Sequence, residues 1–102
     1  MHLIQLLLPL YDNDGAQLPS ALFMQVRDEL VARFGGITVY TRAPASGLWQ
    51  ESESTTVRDD LVIYEVMAET IDAGWWQDYR RQLETRFRQE KLVVRAHAIR
   101  ML

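Results

Sequence analysis

Apolar residues fill both parities of the stretch His2 to Tyr11, with Ile4, Leu6 and Leu8 on one side of an extended chain and Leu3 and Leu7 on the other. A short run of that kind, stopped by the turn cluster Tyr11-Asp12-Asn13-Asp14-Gly15, reads as a strand buried on both faces. From Leu18-Pro19-Ser20 the period changes. Leu22, Phe23, Val26, Leu30 and Phe34 form a stripe at helical spacing, with Gln25, Arg27, Asp28, Glu29 and Arg33 opposite. Pro19 suits the first turn of this helix and Gly35-Gly36 its stop. Alternation returns over Ile37 to Arg42, a second strand. The next 18 residues, Ala43 to Asp60, hold Pro44, Gly47 and a Ser/Thr/Glu-rich run, and are expected to form a long connection of the sort that often carries function. Leu61 to Ala68 is again a buried-looking strand. Asp72 then offers an N-cap to a second helix carrying Trp75, Trp76, Tyr79, Leu83 and Phe87 on one side, and Leu92 to Met101 closes the chain as a fourth strand.

The predicted order is βαββαβ. Two βαβ halves with right-handed crossovers, fused so that the middle strands form a hairpin, resemble the ferredoxin-like superfold, an α+β sandwich. More narrowly, the order resembles the dimeric α/β-barrel superfamily. The resemblance covers all 102 residues and is one of element order; no catalytic motif of a particular family is matched. It implies a four-stranded antiparallel sheet with both helices on one face, the first and third strands central, and dimerisation through the open face.

Composition agrees with one domain over residues 1–102 and narrows the chemistry. A chain of 102 residues that is 48% hydrophobic and 25% charged folds around one core, yet buries only about two-thirds of its unfolded surface, so association helps it. The absence of cysteine removes disulfides, thiolate metal sites and a cysteine nucleophile, and two histidines cannot fill a multi-histidine centre. No metal or other cofactor is expected. Asp12-Asn13-Asp14-Gly15 lacks the rest of a calcium loop and reads as turn chemistry. The formal charge of −3 argues against nucleic acid as a partner. Basic residues do gather after Asp78, but Arg80, Glu84 and Arg88 at i, i+4 spacing read as an ion-paired helix face. The apolar run Leu3 to Leu10 is too short to cross a bilayer and lacks the marks of a secretory leader, so no membrane partner and a cytoplasmic location are expected.

With the helices on one side, strand parity places Ile4, Leu6, Leu8, Val39, Val62, Tyr64, Val66, Val94, Ala96 and Ala98 in the core. The open face then collects Leu3, Leu7, Leu61, Ile63 and Met67, an apolar patch that isolated monomers avoid. A second copy of the chain is the expected cover, giving a homodimer. Among these apolar residues stand Gln5, Tyr40, Arg42, Glu65, Arg95 and His97, which need partners once covered. Two readings follow. In one, these residues and Trp49 line a small-molecule site or an interfacial polar network, such as an ion pair of Glu65 with Arg95. In the other, which the superfamily resemblance implies, the chain is a cofactor-independent monooxygenase or isomerase for a small, partly aromatic substrate, with Glu65 or His97 as acid or base and an arginine holding an anionic group. Trp49, between turn residues, serves either as a lid or as a lock onto the partner subunit.

Overall fold

The computed structural model describes residues 1–52 and 55–102, and over 41–60 it describes the backbone pairing alone. Six elements follow in the order β1 (His2–Pro9), α1 (Ser20–Phe34), β2 (Thr38–Ser52), β3 (Thr55–Ala68), α2 (Ala73–Arg86) and β4 (Val93–Ala98). The strands form one antiparallel sheet in the order β2-β3-β1-β4, the α+β ferredoxin-like arrangement. No helix among the described residues is long and apolar enough to cross a membrane.

Local chemistry accounts for the element ends. The Asp12 carboxylate accepts the backbone N–H groups of Asp14 and Ala16, both at 2.9 Å, which closes the turn after β1. Gly35 ends α1 in the left-handed conformation, φ 85°, and donates its N–H to the Val31 carbonyl at 2.8 Å. Asp72 caps α2 by accepting the Trp75 N–H at 3.0 Å.

The helix-covered face holds the core. Ile4, Leu6 and Leu8 from β1 and Val62, Tyr64 and Val66 from β3 meet Val26 and Leu30 of α1 and Trp76, Tyr79 and Leu83 of α2, with Phe87 and Leu92 sealing the α2–β4 turn. Phe23 meets Phe87 edge-on at 5.2 Å, and Phe34 stacks on Trp76 at 5.3 Å. Trp75 lies flat against Tyr79 at 4.8 Å, and the Arg33 guanidinium lies over the Trp75 ring at 4.1 Å from its centroid. The two helices are also tied by Glu29, whose carboxylate takes Arg86 in a bidentate pair at 2.5 and 2.9 Å and the Tyr79 hydroxyl at 3.0 Å.

Four expectations are corrected. Ala96 and Ala98 share the parity of the core but are exposed, because their methyl groups are too short to reach α2; a trough of about 200 Å³ remains between Ala73 and Trp76 on one side and Val94 and Ala96 on the other. Arg88 does not extend the ion-paired helix face, since α2 ends at Arg86 and Arg88 adopts φ 54°; Arg80 does meet Glu84, at 4.0 Å. β4 is shorter than the run Leu92 to Met101. The long connection over Ala43 to Asp60 is instead mostly strand: Ala45 pairs with Leu61 and the ladder runs out to Ser52 opposite Thr55. The β-branched Thr55, Thr56 and Val57 carry the extended conformation past the point where Pro44 and Gly47 suggested a break. A register shift between Tyr40 and Ala45 absorbs the irregularity around Pro44.

Candidate functional site

The face without helices is organised in rows set by the ladder. Glu65 of β3 stands opposite Gln5 of β1, which stands opposite Arg95 of β4, and Thr38 of β2 completes the row. Below it run Tyr40, Ile63, Leu7 and Val93, and above it Met67, Leu3 and His97. A polar row thus lies between two mainly apolar ones.

The side chains of the polar row are joined. Gln5 donates its amide Nε2 to Glu65 Oε1 at 2.6 Å, and its own carbonyl Oε1 accepts Arg95 Nε at 2.8 Å. Tyr40, one row away, reaches diagonally to donate its hydroxyl to Glu65 Oε2 at 3.2 Å. The sequence Tyr40, Glu65, Gln5, Arg95 is therefore a continuous hydrogen-bonded relay that crosses all four strands. Its carboxylate and guanidinium do not touch; the amide of Gln5 separates them and satisfies one atom of each. The charge of Glu65, and then the hydrogen bond it accepts, hold the Tyr40 phenol above its ordinary range.

Around the relay the surface is apolar and accessible. Leu3, Gln5, Leu7, Ile63 and Glu65 are half-buried, while Tyr40, Met67 and Val93 are exposed by nearly half of their surface. Glu65 also borders a groove of about 440 Å³ at the end of the sheet. The groove exists because β2 begins only at Thr38, opposite Glu65, so that Val66 and Met67 of β3 have no β2 partner. Gly35 and Gly36 connect α1 to β2 there, and a Cβ on either would meet nothing within 4 Å.

The sequence-predicted residues are thus brought together unequally. Gln5, Tyr40, Glu65 and Arg95 form one constellation. His97 is exposed, stands opposite Leu3 in the next row, and hydrogen-bonds to none of the described residues. The direct pairing of Glu65 with Arg95 is replaced by the bridge through Gln5. Arg42 and Trp49 lie outside the residues whose side chains are described. The groove beside Glu65 was not anticipated; its one sequence signal is Gly35-Gly36, which leaves room where a helix meets a strand.

No protein-family model matches the chain. No curated protein sequence matches it. Among solved structures, a phage SAM lyase in complex with S-methyl-5'-thioadenosine is similar at a TM-score of 0.65, covering 94% of this chain and 79% of that one at 16% sequence identity. At that identity the likeness is one of fold: the architecture read from the alternation of strands and helices is shared with a protein that binds a small molecule.

Proposed function

We propose that this chain is a homodimeric small-molecule-binding protein whose two open faces close on each other and hold a ligand against the Tyr40, Glu65, Gln5 and Arg95 relay. The observation that carries this reading is the relay itself: a carboxylate and a guanidinium held at fixed spacing by one amide, in the middle of an apolar face. Such a face is costly to leave in water, and polar groups inside a cover must be satisfied. The relay satisfies most of its own members and leaves the terminal amino groups of Arg95 without a partner among the described residues. These are the natural anchor for an anionic or strongly accepting group, while the second lone pairs of Glu65 take a donor, and Leu3, Leu7 and Ile63 supply the apolar floor.

The catalytic alternative takes Glu65 or His97 as acid or base. Within one protomer the register puts β1 between the two and assigns them to different rows, and the Glu65 carboxylate is already engaged by Gln5 and Tyr40, which favours binding. Binding is therefore the function proposed.

Light scattering tests the assembly and thermal shift tests the site. The face-to-face pair should weigh about 24 kDa, twice the 11.9 kDa chain, and Ile63→Glu should break it by burying an unpaired charge. S-methyl-5'-thioadenosine and benzoate are the two probes, one a nucleoside thioether and the other an aromatic acid. A ligand at 100 times its Kd adds about 2.7 kcal/mol of stability, a rise of several degrees in Tm. Glu65→Gln and Arg95→Ala should remove the rise while leaving the dimer intact. No response to either probe, or an equal response in both variants, rejects the site.

A further inference from the structure

The outer edge of β4 is a row of backbone groups with a definite pattern. Ile99 donates its N–H to the Met1 carbonyl at 3.0 Å, so the odd-numbered residues of this strand turn their backbone groups toward β1. Val94, Ala96 and Ala98 consequently turn theirs outward. Leu92, next in that outward series, has its N–H taken by the Glu84 carboxylate at 2.9 Å, which closes the edge at its start. Beyond it the three remaining residues meet no covering element among the described residues.

Edge strands are usually protected by proline, lysine, a bulge or a covering segment. The opposite edge of the sheet has such devices, since β2 contains Pro44 and a register shift between Tyr40 and Ala45. β4 is guarded only by its shortness and the charge of Arg95: its ladder with β1 runs without a shift, and Val-Val-Arg-Ala-His-Ala holds neither proline nor lysine.

From this we infer that β4 pairs antiparallel with β4 of a second copy about a two-fold axis through Ala96, joining two four-stranded sheets into one of eight. The register is fixed by the pattern. With Ala96 opposite Ala96 of the partner subunit, Val94 falls opposite Ala98 of the partner subunit, and each pair exchanges both N–H···O bonds, so every outward group of the three residues is used. A dyad at Arg95 would set two guanidiniums against each other and would need the Leu92 N–H that Glu84 already holds. About Ala96, Arg95 lies opposite His97 of the partner subunit, and Val93, nearly half exposed, lies opposite Ile99 of the partner subunit. On the helix side only Val94 and alanines meet across the joint, so backbones can approach without obstruction. The apolar trough between α2 and β4, walled by the exposed Ile71, continues from one copy into the other.

This edge is separate from the open face, and the two associations fail independently. Mass is read by analytical ultracentrifugation up to several hundred micromolar, and exchange of the Val94, Ala96 and Ala98 amides by NMR. With both interfaces formed, the wild type should approach 48 kDa, four times 11.9 kDa, and these three amides should be protected on the order of 100-fold at high concentration and lose protection on dilution. Ala96→Pro removes an N–H that points outward, so the ladder with β1 survives; it should halve the mass and free the Val94 and Ala98 amides. Ile63→Glu should halve the mass while leaving those amides protected. Amides that exchange at free-edge rates at every concentration overturn the edge pairing, as does protection that ignores dilution or an Ala96→Pro variant with unchanged mass. Loss of the face-to-face pair alone leaves it standing.

Discussion

The two faces of this sheet are made from the same strands and share every backbone bond, yet they differ in what their side chains are for. Leu6 and Leu7 are neighbours: Leu6 is fully enclosed between β1 and the helices, and Leu7 looks out of a half-covered floor. On the helix side the polar groups are few and each is taken up by an element packed against it, such as the Tyr64 hydroxyl donating to the Phe23 carbonyl at 3.3 Å. On the open side a polar row crosses all four strands through side chains whose only link is the register. One face is arranged to exclude water. The other keeps fixed polar groups in an apolar surround, which is what a covered binding surface requires and a solvated sheet does not.

The largest expected effect separates the faces by stability. Leu6→Ala opens a cavity in a closed core and should cost about 2 to 5 kcal/mol, whereas Leu7→Ala removes a side chain already in partial contact with water and should cost well under half of that in the isolated chain. Urea denaturation measures both. The comparison sharpens with concentration: if a second copy covers Leu7, its penalty grows as the protein is concentrated and that of Leu6 does not. Equal penalties at low concentration would mean that the open face is as well packed as the core.

How much of this was legible follows the same division. Most of the core came from parity and stripe, because burial imposes a period and Leu6, Leu8, Val62, Val26 and Leu83 obey it, whereas Ala96 and Ala98 share the parity and stay exposed. Asp72 and Gly35 marked helix ends through chemistry local to a few residues. The open-face row was only half legible: parity put Gln5, Glu65 and Arg95 on one face, and the expected strand order already set β1 between Glu65 and His97, but which residue stands opposite which depends on register, so the Gln5 bridge was not readable. Farther still from the sequence is the Glu29 latch, whose partners Tyr79 and Arg86 lie on another helix and share no spacing with it. The β2–β3 ladder was misread for the opposite reason, since Pro44 and Gly47 are strong local signals that the surrounding strand overrides.

That latch supplies the next prediction. Hydrogen bonding to Arg86 holds the Glu29 carboxyl below its usual value, and Tyr79, buried and bound to the same carboxylate, is pushed up. A carboxylate whose folded-state value is depressed adds stability that is fully present above the unfolded value near 4.5 and is lost as pH falls through the folded one. Glu29 is about a third exposed, so solvent screening limits the contribution to about 1 kcal/mol. Melting temperatures from pH 7 to pH 3 should show Glu29→Gln lower at neutral pH and converging on the wild type in acid. A constant gap across that range would show that the pair is held by packing and not by charge.

The smallest effect isolates the relay. Tyr40 ionises above its ordinary value because Glu65 is charged beside it and because the phenol donates to that carboxylate, the charge being the larger cause. The two causes separate by substitution. Glu65→Gln removes the charge and keeps a carbonyl that can still accept from Tyr40; Glu65→Ala removes both. Followed through the Tyr40 ring resonances across alkaline pH, the titration should move down in both variants, with most of the movement already present in Glu65→Gln. A shift that appears only in Glu65→Ala would assign the effect to the hydrogen bond and would weaken the relay as an electrostatic unit. A titration unchanged in either variant would mean that Tyr40 and Glu65 are not in contact in solution, and the open face would then lack the fixed polar row that distinguishes it from the core.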